Sequence, residues 1–225
     1  MITLVGTGHV FDLSMKVEQI IRERLPDVVC VELDITRYNA LVARGNNETI
    51  SRKSLPAVYR LLAKFQDTVA DWYGVEAGDE MLTAIKTANE MDIPVELIDM
   101  DAQKVFKRMW KSMSLRERFR LLVSALFGLF STRSMIEREI EKIQNNMEQF
   151  MEVIGKKFPT VKRVLIDERD RFMAERLEEL CKNYENIVAF VGDGHIPGIK
   201  EKLLSRNIEV EVLRLKDITK KKKNN

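Results

Sequence analysis

The chain contains two histidines, and both stand in the same local pattern. Val5-Gly6-Thr7-Gly8-His9-Val10 matches Val191-Gly192-Asp193-Gly194-His195-Ile196. Each segment follows an apolar run that reads as a strand and precedes one that reads as a helix. Glycines at such a turn permit positive φ and close approach of the backbone to a ligand. Each histidine then falls just beyond the carboxyl end of its strand, which is the ligand-binding edge of an open parallel sheet. Ordinary turns and a phosphate-cradling loop are the competing readings. Neither segment completes G-x-G-x-x-G or G-x-x-x-x-G-K-[ST].

Acidic residues gather at the same expected edge. Glu32 and Asp34 end a second strand, Asp99 and Asp101 follow a third, and Asp193 follows a fourth. Carboxylates converging with imidazoles could hold a divalent metal or activate water. For Asp34 and Asp101 the simpler role is a helix cap. Glu32 is the sharper case, because a carboxylate inside Val31-Glu32-Leu33 is partly buried and needs a partner. Glu168-Arg169-Asp170 reads, on spacing alone, as a charged helix start.

The elements that must position these groups follow from hydropathy. Strands are expected at 2–5, 28–33, 95–98, 187–191 and 209–213, the last as an edge. Helices are expected at 14–24, at 79–90 with Asp79 as cap, briefly after Asp101, at 168–183 and near 197–205. Residues 34–75 read as irregular helix with a loop at Gly45-Asn46-Asn47. The opening βαβ pattern implies that the first two strands form a parallel pair. The fold class is therefore α/β, a mainly parallel sheet flanked by helices.

Two capping boxes, Ser114–Glu117 and Ser134–Glu137, open a different region. Leu115, Phe119, Leu122, Leu126 and Leu129 then follow a 4-3-4-3 spacing. Ile136, Ile140, Ile143, Met147, Phe150 and Ile154 follow 4-3-4-3-4. Both are coiled-coil-type seams. Residues 113–158 thus read as a helical hairpin inserted into one α/β domain made of 1–112 and 159–219, with 220–225 as a basic tail. The hairpin leaves Leu121, Val123, Phe127 and Phe130 as a second apolar set. That set favours a homodimer through the hairpin, with the α/β domain or a membrane surface as other covers.

A net charge of +2, from 37 Lys+Arg against 35 Asp+Glu, gives no reason to expect nucleic acid as a partner. Cys30 and Cys181 lack redox or metal spacing and read as buried reduced thiols, which suits a reducing, cytoplasmic setting. No signal peptide is expected. The most apolar run, Leu121–Phe130, is about half what a membrane span needs, so membrane contact would be peripheral.

Taken together and in order, these segments resemble the TraB/PrgY (pheromone-shutdown) family, of the wider Tiki, GumN and erythromycin-esterase-like group. The matching pieces are Val5–Val10, Pro26–Asp34 with Arg37-Tyr38, Gly78–Met81 with Ala84 and Ala88, Leu97–Asp101 with Arg108 and Trp110, Glu168–Ala174, and Val191–Gly198. The resemblance implies a G-x-x-H pair with an acid between, carried here by His9, Glu32 and His195. In the Tiki branch that set goes with metal-dependent proteolysis, favouring manganese or cobalt over zinc. The implied activity is a metal-dependent hydrolase acting on a peptide or small molecule.

In that scheme His9 and His195 are ligands or a general base, and Glu32 is a ligand or water activator. Asp99 and Asp193 are further ligands, and Arg37 and Arg169 orient carboxylates or stabilise an oxyanion. Gly6, Gly8, Tyr38, Glu80, Arg108, Gly192 and Gly194 are the expected substrate-binding positions. A metal-free histidine hydrolase and a peptide- or signal-sequestering protein are the alternatives. Many TraB-like chains carry C-terminal membrane helices, which this sequence lacks.

Overall fold

The computed structural model describes residues 1–8, 13–45, 78–129 and 147–219. His9, the loop at Asn46-Asn47, the second capping box and the hairpin turn lie outside them. In chain order the elements are β1 (Ile2–Thr7), α1 (Ser14–Arg24), β2 (Val28–Val31), α2 (Ile35–Gly45), α3 (Asp79–Glu90), β3 (Val95–Leu97) and α4 (Ala102–Ser112). Next come α5 (Leu115–Leu129), α6 (Met147–Lys157), α7 (Pro159–Lys162), a π turn (Arg163–Asp167) and α8 (Glu168–Leu180). The last are β4 (Ile187–Gly192), α9 (Ile196–Leu204), β5 (Val210–Leu213) and α10 (Leu215–Thr219).

The five strands form one sheet in the order β3-β2-β4-β1-β5, and every neighbouring pair is parallel. The α/β expectation holds, with β5 at an edge. The expected β1–β2 pairing does not. β4 sits between them, with Phe190 opposite both Val5 and Val31. Strand register depends on distant partners, which a local βαβ pattern does not encode.

Period-2 alternation splits the buried residues into two layers. Ile2, Leu4, Val28, Cys30, Ile187, Ala189 and Val191 face α8 and α9, meeting Met173, Ala174, Leu177, Ile196, Ile199 and Leu203. Val5, Val29, Val31, Val188 and Phe190 face α1 and α3, meeting Val17, Ile21, Met81, Ala84 and Ala88. A smaller cluster joins α4 to the π turn through Val105, Met109, Met113 and Val164.

Local chemistry sets the helix starts. The Asp101 side chain accepts from the Lys104 amide and caps α4. The Ser114–Glu117 capping box forms in both directions, Glu117 N to Ser114 Oγ at 3.2 Å and Ser114 N to Glu117 Oε2 at 3.3 Å. Asp79 is not the cap of α3. Gly78 takes that place at φ 99°, where a side chain is strained, and Asp79 opens the helix behind it. Cys30 is buried and Cys181 only partly so, and both are free thiols. Among the described residues no helix is long and apolar enough to cross a membrane.

Phe190 is fully buried on the central strand. Phe190→Ala is expected to cost about 3–5 kcal/mol, the range for a buried phenylalanine truncated without collapse. A urea unfolding curve checks this. A loss under about 1 kcal/mol would contradict the central placement of β4.

Candidate functional site

Glu32 lies one residue past β2. Strand parity places it on the face of Val28 and Cys30, the side covered by α8 and α9. The starts of those two helices bring Arg169 and His195 to it. Its Oε2 accepts from the Gly192 amide at 2.6 Å and its Oε1 accepts from Arg169 Nη2 at 2.5 Å. Burial would raise its pKa. The protonated form of His195, the Arg169 guanidinium and the Gly192 N–H together outweigh burial and hold the carboxyl at about 2.

Arg169 is the hub of the cluster. A guanidinium carries five N–H donors and no acceptor, and here each donor has an acceptor. Nε donates to Asp99 Oδ1 at 2.9 Å. Nη2 donates to Asp99 Oδ2 at 2.6 Å and to Glu32. Nη1 donates to the Leu165 carbonyl at 3.2 Å and stands 3.1 Å from His195 Nε2. The Leu165 carbonyl comes from the π turn directly before α8, where the Glu168 amide reaches back five residues to the Arg163 carbonyl. Burial alone would lower the Arg169 pKa. The Asp99 and Glu32 carboxylates reverse this and push it up.

Asp99 joins a second arginine. Arg37 Nη2 donates to Asp99 Oδ2, and Arg37 Nε donates to Asp34 Oδ2 at 2.7 Å. Asp34 also accepts from the Thr36, Arg37 and Ala102 amides, so it caps α2 and ties down the start of α4.

His195 is 6% exposed and held at both ring nitrogens. Nδ1 lies 2.5 Å from Asp170 Oδ1, and Nε2 faces Arg169 and, at 3.5 Å, Glu32 Oε1. An arginine only donates, so in the neutral ring Nε2 is the acceptor facing it and the proton on Nδ1 is given to Asp170. Burial raises the Asp170 pKa, and the hydrogen bond from His195 partly opposes this. A Cβ on Gly198 would fall 1.9 Å from Asp170 Oδ2. The glycine is what lets α9 approach α8 closely enough for the pair to form.

Asp170 and Gly198 were not among the site residues expected from sequence. The signal for Asp170 is its spacing. It shares a buried line with Met173, Ala174 and Leu177, at i, i+3, i+4 and i+7, and a carboxylate on such a line requires a partner.

The structure brings Glu32, Asp99, Arg37, Arg169, Gly192 and His195 together and sets other expected residues apart. Asp193 turns away from them. Its carboxylate accepts from Arg214 Nε and Nη2 at 2.9 and 2.7 Å and from the Leu215 amide at 2.8 Å. Gly6 makes room for that clamp, since a Cβ there would meet Asp193 Oδ1 at 2.2 Å. Tyr38 packs against the other layer of the core. Glu80 is buried in the first turn of α3. Arg108 pairs with Glu168, with Nε 3.2 Å from Oε2. Gly8 and Gly194 are partly buried in the two loops.

The carboxylates of Glu32, Asp34, Asp99 and Asp170 gather around His195, Arg37 and Arg169, and Lys202 also acts on Asp170. Among the described residues no three His, Cys, Asp or Glu side chains converge as a ligand set. His195 Nε2 and Glu32 Oε1 can serve as two ligands of one ion, with Asp170 as the carboxylate behind the imidazole.

Glu32 has a depressed folded pKa, so its stabilising effect is complete above its unfolded value near 4.5 and fades as pH falls toward about 2. The stability gap between wild type and Glu32→Gln should be roughly 3 kcal/mol near neutral pH and close across that window. Urea midpoints at several pH values check this, and a gap independent of pH would contradict it. Gly198→Ala should cost about 1–3 kcal/mol by overpacking. Combined with Asp170→Ala it should cost less than the sum of the two single changes, as a double-mutant cycle would read.

The family-level sequence profile of the TraB/PrgY/gumN family matches residues 1–212. An uncharacterized protein of Methanocaldococcus jannaschii is 32% identical over 99% of this chain and 58% of its own length. The TraB domain-containing protein of Homo sapiens is 29% identical over 92% of this chain and 64% of its own length. The one from Bos taurus is 28% identical over 88% and 61%. The chain therefore spans less than two thirds of each of these relatives. With the profile covering nearly all of it, the chain belongs to the TraB/PrgY/gumN family.

Proposed function

We propose that this chain is a hydrolase of peptide or small-molecule substrates in which His195 moves the proton. The observation that carries the reading is the buried Asp170–His195 contact of 2.5 Å at the carboxyl edge of a parallel sheet. Asp170 keeps the proton on Nδ1, which leaves Nε2 as the basic nitrogen. In the resting arrangement Arg169 Nη1 covers Nε2. An entering substrate displaces that one contact, while the four other donors hold the guanidinium in place. Nε2 then takes a proton from the attacking water, and the released Nη1–H receives the oxyanion formed at the carbonyl. His195 afterwards returns the proton to the leaving group.

A second reading, metal-dependent hydrolysis with manganese or cobalt before zinc, is favoured by the carboxylates gathered near one imidazole. It is also favoured by the 3.5 Å between Nε2 and Glu32 Oε1, a separation that suits two ligands each about 2 Å from one ion. His195 and Glu32 would hold the ion, with His9 as the third candidate. The ion would supply Lewis acidity and a more acidic bound water.

A screen of peptides and esters tests both readings. His195→Ala should lower turnover by about 10²–10⁴-fold. Asp170→Asn should lower kcat and move the acidic limb of the pH profile, where the general base must lose its proton, which a purely structural loss would not. Turnover by chelator-treated protein supports the metal-free form. Activity lost to chelator and restored by manganese, with a matching rise in Tm that Glu32→Gln abolishes, supports the metal form. Tight peptide binding without turnover under every condition would replace both with a sequestering protein.

A further inference from the structure

Charge is unevenly distributed along this chain. Residues 102–120, covering α4 and the first turns of α5, hold seven Lys and Arg against one acid, Glu117, whereas the whole chain has a net charge of +2. Glu117 is turned inward and bonded to Ser114 and Thr160. Lys104, Lys107 and Lys111 lie on one exposed face of α4, opposite buried Val105 and Met109.

Where α5 begins, Leu115 and Phe119 are 79% and 72% exposed, one turn apart, with exposed Arg116 between them. From Leu121 to the end of α5 at Leu129 no residue is charged. At ~1.5 Å per residue that stretch covers about 13 Å, less than half of the ~30 Å hydrocarbon layer.

We propose that the α4–α5 surface docks this protein on an anionic lipid bilayer. The lysines and Arg116 meet headgroup charge, and Leu115 and Phe119 enter the boundary between headgroups and acyl chains. Cations around exposed apolar side chains match such an interface. A nucleic acid backbone would satisfy the cations and give no apolar layer for Leu115. A second copy of this chain would set one cationic surface against another across a two-fold axis. The inference is independent of the hydrolase reading.

Flotation of the 225-residue chain with phosphatidylcholine vesicles, with and without phosphatidylserine, tests it. The protein should float with the anionic vesicles only and be released by salt. Lys104→Glu/Lys107→Glu/Lys111→Glu should weaken binding by roughly a hundredfold or more. Leu115→Ser/Phe119→Ser should weaken it while leaving the salt dependence. If a variant unfolds, the contrast between the two vesicle types with wild type still decides. No flotation, equal flotation with neutral vesicles, or displacement from anionic vesicles by a polynucleotide would overturn the proposal. So would a dimer in sedimentation equilibrium that Phe119→Glu dissolves.

Discussion

A buried guanidinium must have every donor satisfied or the fold bears the cost of a stranded charge. Arg169 meets that demand with partners from four parts of the chain. They are Glu32 after β2, Asp99 after β3, His195 at the start of α9 and a carbonyl of the π turn. The carboxyl ends of three strands are thereby joined at one point. Because these partners share donors and acceptors, their contributions are coupled. Loss of Arg169 would leave Glu32 and Asp99 as neighbouring buried anions.

Each partner reaches that point for a local reason. Parity carries Glu32 to the face of α8 and α9. The Gly192 amide fixes one of its oxygens and leaves the other for Arg169. Gly198 removes the side chain that would hold α9 away from Asp170. The apolar line Met173-Ala174-Leu177 seats α8 on the sheet, and Asp170 extends that line into the cluster. The second G-x-x-H loop divides its side chains between two contacts. In the second loop Asp193 is spent on a clamp to Arg214, which leaves His195 to face the charged cluster.

Much of this was legible in the sequence, and the parts that were not share a cause. The strands and most helices follow from apolar runs, alternation and caps, which are local. Glu32 stood out because a carboxylate within an apolar run has few ways to be stable. The place of β4 between β1 and β2 was not legible, since parallel pairing of remote segments leaves no local mark. Asp170 was masked by its neighbours, for Glu168-Arg169-Asp170 looks like a solvated helix start until its phase with Met173 is followed. Asp193 looked like a member of the acidic set because its partner lies twenty-one residues on, in a segment without a motif.

The insertion of β4 between β1 and β2 also fixes when the sheet can be completed. β1 precedes every other described strand in the chain, and its pairing strands, β4 and β5, follow all the others. Until Ile187–Gly192 emerges, β1 and β2 have no common neighbour. Contacts of such long sequence separation form slowly and leave the nascent chain exposed to aggregation. Just before β1 the Ile187 amide donates to the Met1 carbonyl at 3.0 Å. Pairing β1 with β4 therefore closes a loop from Ile2 to Ile187, and the charged cluster is assembled only once β4 and the start of α9 have been made.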